Sequence, residues 1–387
     1  MKPYEGVDFL SLDDLLTDQE KQVRQSVRKW VTDRFMPVVA KHYQAGTFPM
    51  ELVAEMADMG LLGCNLEGYG CAGMSNKEYG LIMMELERGD SGLRSFASVQ
   101  TSLCMYPIHT FGTEAQKNKY LPDMAKGKVI GCFGLTEPDF GSNPSGMLTT
   151  AVKKGDKFIL NGTKRWITNG SIANIAIVWA KYNGEIQGFV VPTKSKGFLV
   201  RDIPGKLSLR CSVTSEFIMD NCEVSEDAIL PEARGLKAAL MCLSSARFGI
   251  VWGGLGAAMA CYDEALNYAK EREMFGAPIA AKQLVQSKLV WMVTEITKGQ
   301  LLAHRLAELK DSHKIRPHQI SMGKMNNVGT ALEIARVARD ILGANGVSDE
   351  YQCMRHACNL ESVNTYEGTY DIHKLIIGEK ITGLSAF

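Results

Sequence analysis

Apolar residues return at helical intervals through the first third of the chain. Thr17 and Glu20 form a Thr-x-x-Glu capping box, and behind it Val23, Val27, Trp30 and Val31 share one helix face. Pro37 is expected to close that segment. Met83, Met84 and Leu86 mark another helix, ending at Gly89-Asp90-Ser91-Gly92, and Thr113 with Gln116 repeats the capping signature before a charged helix.

From about Gly131 to Pro231 the period changes. Short apolar runs (Phe158-Ile159-Leu160, Ile175 to Ala180, Phe189 to Val191, Phe198 to Val200, Phe217 to Met219) alternate with turn residues. Asn161-Gly162 reads as a hairpin turn. Beyond Gly235 helical spacing resumes, over Leu240 to Ala269, Gln283 to Leu309, Ile320 to Leu342 and Asp371 to Leu384. The prediction is an α+β protein: a helical unit over 1–130, an antiparallel β unit over 131–234 and a four-helix bundle over 235–387.

Composition narrows the function classes. With 43 basic and 43 acidic residues, the chain lacks the basic excess that nucleic acid demands. Ten cysteines are scattered without a Cys-x-x-Cys pair, which predicts free thiols in a reducing compartment. The seven histidines show no ligand spacing, so no metal is expected. The amino terminus has early acids and no long apolar or arginine-rich stretch, which predicts neither a secretory nor a transit signal and fits a bacterial cytoplasm. A mitochondrial matrix protein trimmed of its presequence would look the same. The apolar run Phe248 to Cys261 is too short to span a bilayer, so no membrane partner is expected.

Three segments carry candidate chemistry. Gly134 to Ser142 is a loop of small and hydroxyl residues that would let backbone amides approach a ring system or phosphates. Trp166 and Thr168, two apart in a strand, place a flat platform beside a polar handle. Asn364-Thr365-Tyr366-Glu367-Gly368-Thr369 presents a carboxylate between helices, suited to a general base. Taken singly, these also read as an ordinary loop, a core tryptophan and a helix-capping turn. Gly254-Leu255-Gly256 lacks the third glycine of a dinucleotide fingerprint and reads as close helix packing.

Together the segments resemble the acyl-CoA dehydrogenase family. Gly134 to Gly146 is similar to one signature of that family, and Asp340 to Val347, continuing to Glu350, Arg355 and Asn359, to the other. The α–β–α order agrees over essentially the whole chain. Phe140, Asn143, Ala344, Tyr370 and Met274 depart from the family pattern. Some members carry the catalytic glutamate just before an arginine in the helix after the β unit, but Ala246 precedes Arg247 here. Others use a Tyr-Glu-Gly-Thr turn, and this identifies Glu367 as the expected base.

The resemblance implies FAD as cofactor. Trp166, Thr168 and Thr136 would meet the flavin ring, with Thr369 nearby. Arg272, Phe275, Gly343 and Gly346 would meet the adenine-diphosphate part across a subunit boundary. Glu85 to Ser95 resembles the glutaryl-CoA branch, in which the arginine matching Arg94 holds the distal carboxylate of the substrate. Glu87, Ser95, Tyr366, Ser142 and Arg247 complete the expected substrate contacts. Tyrosine before the glutamate resembles the decarboxylating members, so oxidation followed by loss of CO2 is expected. The alternatives are release of glutaconyl-CoA, another short-chain or cyclic acyl-CoA substrate, an oxygen-reacting oxidase, and a flavin-binding scaffold without turnover. An electron-transfer flavoprotein as acceptor and a homotetramer are also expected.

Overall fold

The computed structural model describes residues 4–386; the first three residues of the amino-terminal stretch read above lie outside it. Helices come first: α1 (Asp18–Trp30), α2 (Met36–Ala45), α3 (Val53–Asp58), α4 (Asn76–Gly89), α5 (Ser91–Ser98), α6 (Tyr106–Phe111) and α7 (Glu114–Ala125). The capping boxes form as read: Thr17 Oγ1 accepts from the Glu20 amide, and Thr113 Oγ1 from that of Gln116. Pro37 does not end its helix. A π-turn at Val31–Phe35 carries α1 directly into α2 and leaves Pro37 at the opening of α2, where a missing N–H is harmless.

Eight strands follow: β1 (Gly131–Gly134), β2 (Thr150–Lys154), β3 (Lys157–Thr168), β4 (Ile175–Tyr182), β5 (Glu185–Pro192), β6 (Phe198–Asp202), β7 (Thr214–Ser225) and β8 (Ile229–Arg234). They make one sheet in the order β6-β7-β3-β2-β4-β5-β8, with β1 on β4. The pairing is antiparallel apart from β1 and the first residue of β2, Thr150, which run parallel to β4. The β2–β3 hairpin turns at Gly155-Asp156, two residues inside the Lys154–Lys157 pair. Asn161-Gly162 instead lies within β3 as a bulge against β7, so that turn reading is corrected.

The chain then returns to helix in α8 (Gly235–Glu271), a β9–β10 hairpin (Glu273–Met274, Ala277–Pro278), α9 (Gln283–Asp311), α10 (Pro317–Ile341), α11 (Cys353–Val363) and α12 (Tyr370–Thr382). α11 went unread in the sequence. α8 is long and apolar enough to cross a membrane by length and composition, but 78% of its most apolar window is buried inside the molecule. It packs on α4 on one side and α10 on the other. Gly256 makes the first contact possible, because a Cβ there would overlap the Met84 carbonyl. The principal core joins α1, α4 and α8 to α11, a second lies between α6, α7, β1 and the start of α8, and a third within the sheet. All ten cysteines are free.

Candidate active site

Glu367 sits in the turn between α11 and α12, at φ 52. A side-chain-bearing residue in that left-handed region costs on the order of 1–3 kcal/mol unless its surroundings hold it there. Two cations do so. Arg247, on α8, donates from Nε to the Glu367 carbonyl at 2.6 Å. Lys324, on α10, donates to the carbonyls of Tyr366 and Gly368, the second at 2.6 Å. The Glu367 Oε2 atom is sealed from solvent and has no hydrogen-bond partner. Burial pushes the carboxyl above its ordinary range, against the opposing pull of Arg94, Lys324 and Arg247. A desolvated carboxylate oxygen that no protein group occupies is what proton abstraction requires.

Arg94 reaches the same place from α5. Its Nε donates to Glu87 Oε2 at 2.6 Å, its Nη2 donates to the Tyr366 hydroxyl, and Ser95 Oγ lies 3.3 Å from that hydroxyl. Arg94 and Glu87 are almost wholly buried. Burial alone would lower the Arg94 pKa, but Glu87 and Tyr366 more than offset it and keep the guanidinium charged. Space for the pair comes from α8: a Cβ on Gly253 would overlap Glu87 Oε2 and press on Arg94. Glu87 Oε1 is buried without a partner. Three basic side chains (Arg94, Arg247, Lys324) thus face two carboxylates (Glu87, Glu367), and burial draws the Lys324 pKa down to about 7.

The orientation of α5 is fixed from the other end of the chain. Asp90 caps α5 by accepting from the Gly92 amide at 2.7 Å, and the same carboxylate takes Arg355 Nε at 3.0 Å and Asn359 Nδ2 at 2.8 Å. The carboxy-terminal motif residues Arg355 and Asn359 therefore position the helix that presents Arg94 and Ser95.

On the sheet, Trp166 stands at φ 63 on a bulge of β3, with its indole 56% exposed. Thr168 follows on the same face, half-buried, and Thr136 is tied alongside by the Arg165 amide donating to its carbonyl at 2.9 Å. The loop carrying Thr136 is anchored by Glu137. Its carboxylate accepts from the Leu148 and Thr149 amides and from Lys164 Nζ at 2.8 Å, which also holds the Leu135 carbonyl. Phe140, a departure from the family pattern, packs its ring over Gly146. Ser142 is exposed on the same loop and makes no hydrogen bond to the Glu367 turn.

Arg272 and Phe275 lie on the β9–β10 hairpin, with Phe275 93% exposed at φ 54. Gly343 and Gly346 are near them: Asn345 donates to the Tyr268 hydroxyl at 3.0 Å, and the Arg272 amide to the Tyr268 carbonyl at 2.8 Å. This group is not brought to Glu367 within one chain. Along α8 it is roughly 25 residues beyond Arg247, about 37 Å at helical rise. Ala344 and Met274 are exposed, and Tyr370 packs on Gly329. Thr369 caps α12, its hydroxyl accepting from the Ile372 amide at 3.1 Å and keeping its own hydrogen to donate. Trp166, exposed at positive φ on the strand that carries Thr168, fits a flat polar ring system. No group of His, Cys, Asp and Glu able to hold a metal occurs among the described residues.

Sequence reasoning missed Lys324 and Gly253. A lysine one turn from Asn327 in an amphipathic helix looks like solvated surface, and only packing shows it buried.

Comparison with known proteins shows the family of the chain. Models of the acyl-CoA dehydrogenase N-terminal, middle and C-terminal domains match residues 17–128, 132–222 and 233–382. The short-chain specific acyl-CoA dehydrogenase of human mitochondria is 35% identical over 369 residues, covering 94% of this chain and 90% of that protein. A glutaryl-CoA dehydrogenase from Mycobacterium smegmatis, solved in complex with FADH2, superposes with a TM-score of 0.98 at 51% identity, covering 99% of this chain and 100% of that one. A glutaryl-coenzyme A dehydrogenase in complex with glutaryl-CoA superposes with a TM-score of 0.92 at 31% identity, covering 95% and 96%. With all three regions matched in order around a buried glutamate turn, the chain belongs to the acyl-CoA dehydrogenase family.

Proposed function

We propose that this protein is an FAD-dependent glutaryl-CoA dehydrogenase that decarboxylates its product. The observation that carries the substrate reading is Arg94, buried, charged and joined through Tyr366 to the Glu367 turn. A carboxylate inside an acyl pocket must be paired, and an arginine fork supplies that pairing. Its Nε is taken by Glu87, which fixes the plane of the guanidinium. The paired Arg94–Glu87 favours one competing reading, in which the two charges satisfy each other and the substrate is an uncharged short acyl chain.

Bound FAD would supply a hydride acceptor beside the substrate. Trp166 would pack on the flavin ring, Thr168 and Thr136 would bond its polar edge, and Thr369 would donate nearby. Arg272, Phe275, Gly343 and Gly346 would serve the adenine-diphosphate part of the cofactor in a neighbouring subunit, since they lie too far from Glu367 in their own. Exposed apolar residues on the helical surface (Leu284, Val290, Ile381 and Leu384) support such an assembly, which we take as a homotetramer. Ser142 and Arg247 would border the CoA thioester.

Glu367 removes the α proton while the β carbon gives up a hydride, so a C=C bond forms and glutaconyl-CoA results. The electrons of the bond to the distal carboxylate then pass into the conjugated thioester, CO2 leaves, and Glu367 returns its proton to the γ carbon to give crotonyl-CoA. Tyr366, Glu87 and Ser95 surround the carboxylate that departs. Reducing equivalents would go to an electron-transfer flavoprotein. Mass spectrometry of the acyl-CoA formed from glutaryl-CoA with an artificial acceptor tests the reading. Crotonyl-CoA is expected; accumulating glutaconyl-CoA would remove the decarboxylation, and untouched glutaryl-CoA beside oxidised butyryl-CoA would remove the substrate.

A further inference from the structure

Three successive carbonyls of the catalytic turn are each held by a buried cation. Lys324 takes those of Tyr366 and Gly368, and Arg247 takes that of Glu367 between them. A trans peptide directs its N–H opposite to its C=O, and the described residues contain no cis bond. With the Tyr366 carbonyl turned onto Lys324, the Glu367 amide points the other way, and it donates to no group among the described residues. An open amide beside an unpartnered carboxylate oxygen is where an enolate oxygen would be received.

We propose that Lys324 is a positioning residue for the dehydrogenation, which turns the Glu367 amide toward the thioester oxygen and holds a positive charge beside the Glu367 carboxylate. The proposal rests on the acyl-CoA reading of the site. The titratable and charged groups facing Glu367 are Glu87 from α4, Arg94 from α5, Arg247 from α8, Lys324 from α10, Tyr366 from the turn and His373 from α12. Among them only Lys324 reaches both carbonyls flanking the base. Burial draws the Lys324 pKa down, with Glu367 opposing, so its charge depends on the carboxylate it faces.

The test uses glutaryl-CoA and butyryl-CoA analogues in which sulfur replaces the β carbon. These can lose the α proton but not a β hydride, so exchange of the α protons in D2O, followed by mass spectrometry, reads proton abstraction alone. In FAD-loaded Lys324→Met, exchange is expected to slow by about 10²-fold, as for loss of an oxyanion donor. The acid limb of the rate–pH profile should move to higher pH, because Glu367 loses a neighbouring cation. Lys324→Gln keeps amide donors for the two carbonyls without the charge. It should recover part of the exchange rate while its acid limb stays displaced, a split that a purely structural role would not give. Either variant, carrying FAD, with wild-type exchange and a wild-type acid limb would overturn the proposal. A wild-type protein that exchanges the butyryl analogue alone would overturn the glutaryl reading and leave the Lys324 comparison intact.

Discussion

Arg94 and Glu367 divide the work of the site between two kinds of buried charge. Glu367 is kept difficult to ionise by desolvation, whereas Arg94 is kept charged by Glu87. Removing one partner of a buried pair costs about 3–5 kcal/mol, or roughly 10²–10⁴-fold in an equilibrium. Arg94→Ala should therefore lower kcat/KM for glutaryl-CoA by about that factor while lowering it much less for butyryl-CoA. Steady-state kinetics on both substrates decides, and an unchanged ratio would show that Arg94 serves Glu87 alone. The carboxylate must be ionised to act as base, so activity should fall as pH drops through the raised Glu367 value.

At the scale of elements, the loop after β1 owes its place to one ion pair. Burial would raise the Glu137 pKa, but the Leu148 amide, Lys164 and Thr149 together hold it below the ordinary value. Lys164 is completely buried and its own pKa is drawn down to about 8, burial outweighing the attraction of Glu137. The pair fixes the geometry of Thr136 beside Trp166 more than it adds net stability. Lys164→Met leaves Glu137 buried without its cation and should cost about 3–5 kcal/mol in urea unfolding of the FAD-free protein. FAD affinity should fall with it. Unfolding that matches the wild type within about 0.5 kcal/mol would show that the two amides alone suffice.

Across the whole molecule, acid is the expected weakness. His356 and His373 are buried, with both ring nitrogens of each unpartnered, and burial with nearby cations lowers both to about 3. The unfolded chain protonates these imidazoles near pH 6.5, so between pH 6.5 and about 3 it binds more protons than the fold does. Stability is then fully present above that window and lost as pH falls through it. Thermal unfolding should show Tm declining from about pH 6 downward, and His356→Gln should flatten the decline. Parallel slopes for the two proteins would contradict this.

Local chemistry in the sequence determined much of this protein. The capping boxes at Thr17 and Thr113 and the apolar stripes of α8, α9 and α10 depend on neighbours within a few residues, and they formed where they were read. The Tyr366–Thr369 turn was legible as a carboxylate between helices because its residue types already state its capping, which Thr369 performs for α12. Where two local signals competed, packing chose: Gly155-Asp156 made the hairpin and Gly162 a bulge, and a π-turn let the helix run past Pro37. Only the tertiary structure decided which charges meet. Asp90 with Arg355 and Asn359, Arg94 with Tyr366, and Lys324 with the Glu367 turn join residues far apart in the chain. No periodicity records such pairings, because the helix that buries each charge is set by the packing of α4, α8 and α10 and not by the residues beside it.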